Sequence, residues 1–307
     1  MADYTTNVAS LVKSIVGIGQ ETVNGGPVTP TIFPHLLTKE NSKHLPEYET
    51  VQALTGGIAP AAVEMLHIRN SLELAYAFLA RPGELLMLLQ STMGNTALTG
   101  ARSDDATLKT LTMEVSKIHE VLTFAGVRVD TLTLSSEQGQ GLLVDVLAYA
   151  MSCARGTSAT GPGFSTDAVL RHADVVLTVD NSTYAVDKIE IKIVNSLDQD
   201  NRQNTVNRLK PAPYGQRIVT CSMDLDWNST NKTSFLDNIH TATTIAVTAV
   251  WSRSSKGLTV SLPKLFLLGD DPVPGARGPW KFPINGQAMA SVIGEDDEIA
   301  LTLDTSA

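Results

Sequence analysis

The sequence predicts a mainly β protein: two tandem β-sandwich or barrel units, each with one packed α-helix. Three observations carry that prediction. Period-two runs recur along the 307-residue chain; in one, Val219, Cys221, Met223, Leu225 and Trp227 alternate with Thr220, Ser222, Asp224 and Asp226. Two short apolar segments have helical spacing, one in each half. A Gly-, Ser- and Thr-rich stretch without periodicity, "ARGTSATGPGFSTDA", lies at mid-chain. It divides the chain into a first unit at 1–153, a linker at 154–168 and a second unit at 169–307.

In the first half, "TIFPHL", "VEMLHI", "SLELAYA" and "TLTMEVS" read as strands. "LTFAGVRVDTLTLSSEQGQGLLVDVLAYA", from Leu122 to Ala150, reads as a two-stranded ribbon around a polar, glycine-bearing break. "RPGELLMLLQSTMG" is the first helix. Pro82 suits a first turn, Glu84 suits the positive helix end, and Gly94 suits a C-cap. In the second half "ADVVLTV", "TYAVDKIEIKIV", "QRIVTCSMDLDW", "TTIAVTAVWS", "GLTVSLPKLFL", "WKFPINGQA" and "EIALTLD" read as strands. "TSFLDNIHTA" is the second helix, with Ser234 and Asp237 at capping-box spacing and Phe235, Leu236 and Ile239 on one face.

The halves echo each other. "SLEL" at Ser71 matches "SMDL" at Ser222, an offset of 222 − 71 = 151, and an aromatic and a helix follow in both. A second echo, 60 residues apart, sets Arg128 on Lys188 and Asp130 on Glu190. The offset of 151 halves the chain and is taken as ancestral. The shorter echo is taken as two ribbons under one local demand.

The composition excludes several classes. The net charge of −9 argues against a tight nucleic-acid groove. Two cysteines, Cys153 and Cys221, are too few for a disulfide framework, and Cys221 reads as a buried free thiol. No apolar run is long enough to span a bilayer, and no signal peptide is read at the N-terminus. The six histidines lack zinc-ligand spacing and read as surface or interface residues. No nucleophile elbow or Walker loop appears, so no catalytic residue, metal or cofactor is expected.

What remains is charge along long ribbons: Arg128 and Asp130 on the first, Lys188 and Glu190 on the second, Asp224 and Asp226 on a third strand. Exposed strands of that length invite association unless they are managed. A polar loop, Leu197 to Gly215, adds the mixed charges Asp198, Asp200, Arg202, Arg208 and Lys210, a pattern that suits a register-setting contact between subunits.

Nearly the whole chain resembles the tail tube, or major tail, proteins of long-tailed phages. The resemblance rests on "GIGQETVNGGPVTPTIFPHL", with Gly17, Gly19, Glu21, Thr22 and Pro30 in place, on the ribbon from Leu122, on "HADVVLTVDNSTYAVDKIEIKIVN" and on "LTVSLPKLFLL". The long polar loop departs from the shortest members. The resemblance implies a non-enzymatic virion tail protein, made and assembled in the host cytoplasm. It implies stacked rings forming a tube through which double-stranded DNA passes without tight binding. Tail tip, tape measure and tail terminator proteins are its implied partners. Two tandem units favour homotrimeric, pseudo-hexameric rings, with a hexamer as the other symmetry. The charged residues named above then become candidate lumen or inter-subunit groups, and the loop a candidate inter-ring contact. The alternative is a non-catalytic β-sandwich binding or capsid-associated module.

Overall fold

The computed structural model describes residues 14–53, 61–96, 98, 109–117, 119–198, 205–207, 215–226, 228–269, 281–292 and 297–305. The first half contains β1 (Ile15–Gln20), β2 (Leu37–Glu40), β3 (Lys43–Ala53), β4 (Ala61–Leu79), α1 (Pro82–Met93), β5 (Leu111–Ser116), β6 (Val121–Glu137), β7 (Leu143–Tyr149) and β8 (Ser152–Gly156). The second contains β9 (Val175–Val179), β10 (Ser182–Tyr184), β11 (Lys188–Val194), β12 (Ile218–Asp226), a helix at 229–241, β13 (Thr244–Arg253), β14 (Lys256–Leu268), β15 (Lys281–Ala288) and β16 (Ala300–Asp304). The protein is mainly β, as predicted, and among the described residues all strand pairing is antiparallel apart from one isolated bridge, Phe33 to Phe164.

Each half has the same two layers. In the first, β1, β5, β6 and β8 pair in that order; in the second, β9, β13, β14 and β16 do the same. The long strands β6 and β14 then continue into the other layer. There the order is β6-β7-β4, with β2 and β3 along β4, and correspondingly β14-β15-β12-β11. Even an irregularity recurs: β5 slips against β6 between Leu111 and Met113, and β13 slips against β14 between Ile245 and Val247. Among the described residues the two halves therefore share one eight-element plan, to which the second half adds the short β10 on the outside of β9.

The registers correct the offset. The ladder of β4 on β7 runs Glu73–Leu79 and that of β12 on β15 runs Thr220–Asp226, so 220 − 73 = 226 − 79 = 147, not 151. Each ladder ends three residues before its helix begins, at Pro82 and Ser229. By the same comparison, β11 corresponds to β2 and β3 together. Lys188 opposite Asp224 matches Lys39 opposite Ala77, and Val194 opposite Ile218 matches Leu45 opposite Ser71. The 60-residue echo joins strands that are not equivalent: β6 and β11 lie side by side, with Lys188 opposite Glu137 and Val194 opposite Thr131.

Other expectations shift locally. "VEMLHI" and "SLELAYA" belong to one strand, β4. "TIFPHL" contributes single bridges at Ile32 and Phe33. β8 takes the first residues of the expected linker. The second helix is capped by Asn228, whose side chain accepts from the Asn231 N–H at 2.8 Å, rather than by Ser234, which instead bonds the Tyr184 hydroxyl. The last seven residues of β6, Thr131–Glu137, and all of β11 stitch the halves into one sheet, and one continuous apolar core runs through both.

Candidate functional site

One face of the joined sheet buries the core and the other is open. Along β11, Ile189, Ile191 and Ile193 are buried, while Lys188, Glu190 and Lys192 point to the other side. The paired strands follow suit: Val219, Cys221, Met223 and Leu225 of β12 are buried and Thr220, Ser222, Asp224 and Asp226 are on the open side. On β6 the open positions are Thr131, Thr133 and Ser135. This face is hydroxyl-rich and carries both signs of charge. Lys188 Nζ lies 3.9 Å from Glu190 Oε2 on one strand, and Lys39 Nζ lies 3.7 Å from Asp145 Oδ2 across strands. Exposed pairs of this kind add little to stability; their effect is to leave the face wet and without a dominant sign.

Four sequence-selected residues, Lys188, Glu190, Asp224 and Asp226, are thus brought to one face. Arg128 and Asp130 are not. Arg128 is 2% exposed, opposite Tyr149, and Asp130 is 7% exposed. The cause is a β-bulge between Val129 and Thr131, which leaves Asp130 out of the ladder with β7. Its carboxylate turns to the junction between halves and accepts from the Leu197 N–H at 2.8 Å, while its backbone carbonyl accepts from Asn195 N–H at 2.7 Å. The bulge had a sequence signal: apolar residues occupy odd positions at Val127 and Val129, then even ones at Leu132 and Leu134.

The junction has further ties. Asn195 Nδ2 donates to the carbonyls of Thr92 at 2.9 Å and Val129 at 3.0 Å. Arg217 pairs with Glu298 in a nearly buried ion pair, and its Nη1 donates to Met93 O at 3.4 Å. The last carbonyls of α1 are therefore satisfied by side chains from the other half, as helix ends require. Of the polar loop, Asp198 is described, but Asp200, Arg202, Arg208 and Lys210 lie outside the described residues, as does Trp227. The Val206 carbonyl accepts from the Asn70 N–H at 2.9 Å, and Asn70 Nδ2 donates to Asn207 Oδ1 at 2.6 Å, so this part of the loop rests on β4.

Glu21 is a residue whose role the sequence did not reveal. It is buried and its two oxygens accept from Gly25 N–H, Gly126 N–H and the hydroxyls of Thr110 and Thr112 at 2.6–2.9 Å. A side chain at Gly17 would strike Pro30 and Phe33, and one at Gly19 would strike Val28. The "GIGQE" segment is therefore a closely packed device that seats β1. His172 is also not a surface group: its ring lies buried between Ser136 Oγ at 3.0 Å and the Val186 carbonyl at 2.8 Å.

Burial pushes both thiols, Cys153 and Cys221, up to about 12, which makes them poor nucleophiles at neutral pH. Among the described residues, no three His, Cys, Asp or Glu side chains are grouped to hold a metal, and no helix is long and apolar enough to cross a membrane.

The described residues thus form a doubled β-sandwich with one open, hydroxyl-rich face and outer strand edges that no other described strand covers. The phage tail tube protein family model matches residues 12–307, nearly the whole chain, and the chain belongs to that family. It is a structural protein of the virion tail. No curated protein matches the chain.

Proposed function

We propose that the chain polymerises as stacked trimeric, pseudo-hexameric rings into a hollow tube that conducts the phage genome into the host. The observation that carries this reading is the duplication itself. Two equivalent units meet inside one chain by direct strand pairing of β6 with β11. Repeating that junction between chains turns the sheet into a closed barrel and removes its edges. Three copies then supply six units. The open face is proposed to line the channel, where Glu190, Asp224 and Asp226 offset Lys188 and Lys192 and leave no net positive wall; a basic wall would instead retain DNA through counterion release. Lys188, Glu190, Asp224 and Asp226 are the proposed lumen or inter-subunit residues. Arg128 and Asp130 are proposed as buried supports of the same wall.

The polar loop at 197–215 is proposed to reach the adjacent ring, and tail tip, tape measure and terminator proteins are the proposed partners at the tube's ends and interior. Negative-stain microscopy of the purified chain over a concentration range tests the reading. Rings or hollow tubes with three-fold averaging are expected. Discrete monomers at every concentration, persisting after addition of a tail tip complex, would reject it.

A further inference from the structure

The duplication does more than suggest a ring, because it specifies which edges meet and in what register. Inside the chain, Val194 on β11 stands opposite Thr131 on β6. The counterpart of Val194 is Leu45, since Val194 pairs with Ile218 as Leu45 pairs with Ser71, and 218 − 71 = 147. The counterpart of Thr131 is Leu268. Thr131 pairs with Leu147 and Leu268 pairs with Asn285, and 285 − 147 = 138 is also the offset of the β7 and β15 ladders, 281 − 143.

Leu45 is 53% exposed and Leu268 is 50% exposed. Among the described residues no strand pairs with β3 on the side away from β4, nor with Leu268 on the side away from β15. Two half-exposed leucines on two open edges are thus the two positions that the internal symmetry superposes on a paired Val and Thr.

Resting on the ring reading, we infer that the start of the β3 edge of one copy meets the end of the β14 edge of a second copy in antiparallel register, with Leu45 directly opposite Leu268. The pair faces the open side, and each leucine covers the other. The ladder ends at Leu45. The next residue, Pro46, is the counterpart of Asn195, whose N–H donates to Asp130 O within the chain, and proline has no N–H to give. The contact between chains is therefore shorter and more apolar than the junction within a chain.

The test is a cysteine pair, Leu45→Cys with Leu268→Cys, assembled under reduction and then mildly oxidised. Thr131→Cys with Val194→Cys is the matched intrachain control. The expected result is a ladder of covalent dimers and trimers from the first pair, and only monomers of shifted mobility from the control. Rings that form normally but give no interchain crosslink, while the control closes, would overturn this register and leave the tube reading intact. Absence of rings from the unaltered chain would overturn both.

A charge cycle reads the same contact without a disulfide. Leu45→Lys and Leu268→Glu are each expected to lower assembly at least tenfold, with unchanged monomer melting, and the double variant to restore most of it. Single variants that assemble like the parent would also overturn the pairing.

Discussion

The two halves share a plan and differ in what surrounds them. In the first, α1 packs on β1 and β6 of its own half and on β14 and β16 of the other. Leu85, Leu88, Leu89 and Met93 are completely buried. In the second, the helix at 229–241 widens into a π turn over Lys232–Leu236, buries Phe235 and Leu236, and leaves its final turn, Asp237–Thr241, without a buried residue. The same plan is sealed when a second unit sits beside it and looser when none does. Within an isolated chain, only the first unit has that neighbour.

The largest effect should come from breaking the seal. Arg217 ties the second half to the end of α1 and neutralises Glu298 in a nearly buried site. Arg217→Ala leaves a buried carboxylate unpaired, a change that costs about 3–5 kcal/mol. Urea unfolding should show that loss. A loss below about 1 kcal/mol would mean that the junction adds little to the seal, and the contrast between halves would lose its physical basis.

A smaller effect sharpens the comparison by pH. Glu84, in the first turn of α1, is buried, and burial pushes its carboxyl up to about 7 against the smaller opposing pull of the His35 backbone and Arg81. At the equivalent position, 84 + 147, the second helix carries Asn231, whose neutral amide bonds the Asp226 carbonyl. Because the folded state raises this acid above its ordinary value of 4.5, the associated penalty is absent below pH 4.5. It grows as pH rises toward 7 and is complete above it. Glu84→Gln should therefore stabilise the protein by about 1–3 kcal/mol at pH 8 and by almost nothing at pH 4. A pH-independent difference between variant and parent would show that ionisation is not the cause.

These contrasts also explain what could be read without coordinates. Alternation exposed most strands, and Pro82 and Gly94 bracket α1 as their backbone preferences require. The offset of 151 erred by four residues, which preserves strand parity and is close to one helical turn, so every face still matched. Only hydrogen-bond register separates 151 from 147. β3 was missed because "KHLPEYETVQA" alternates poorly and contains Pro46, features of an edge strand rather than a core one. Asp130 was misplaced because alternation was carried through a bulge. The Leu45 and Leu268 edges were invisible for a deeper reason: pairing partners are set by the fold, and a sequence shows only which side of a strand is apolar.

The smallest predicted effect compares the two helix ends directly. α1 closes on Gly94 in the left-handed region, at φ 76°, and its N–H bonds the Gln90 carbonyl. The second helix closes in the same way on Ala242, at φ 53°, where a Cβ is strained. Exchanging the residues should give opposite signs: Gly94→Ala destabilises by about 1 kcal/mol and Ala242→Gly stabilises by somewhat less, roughly 0.5 kcal/mol, since glycine also loosens the unfolded chain. Thermal unfolding of both variants checks this. If the ends are equivalent, the double exchange should come out close to the sum of the two, because the sites share no partner. If Ala242→Gly instead destabilises, the second helix does not hold its left-handed cap in the free chain. Its final turn would then take shape only when another unit covers it, and the looser half would be the one completed by assembly.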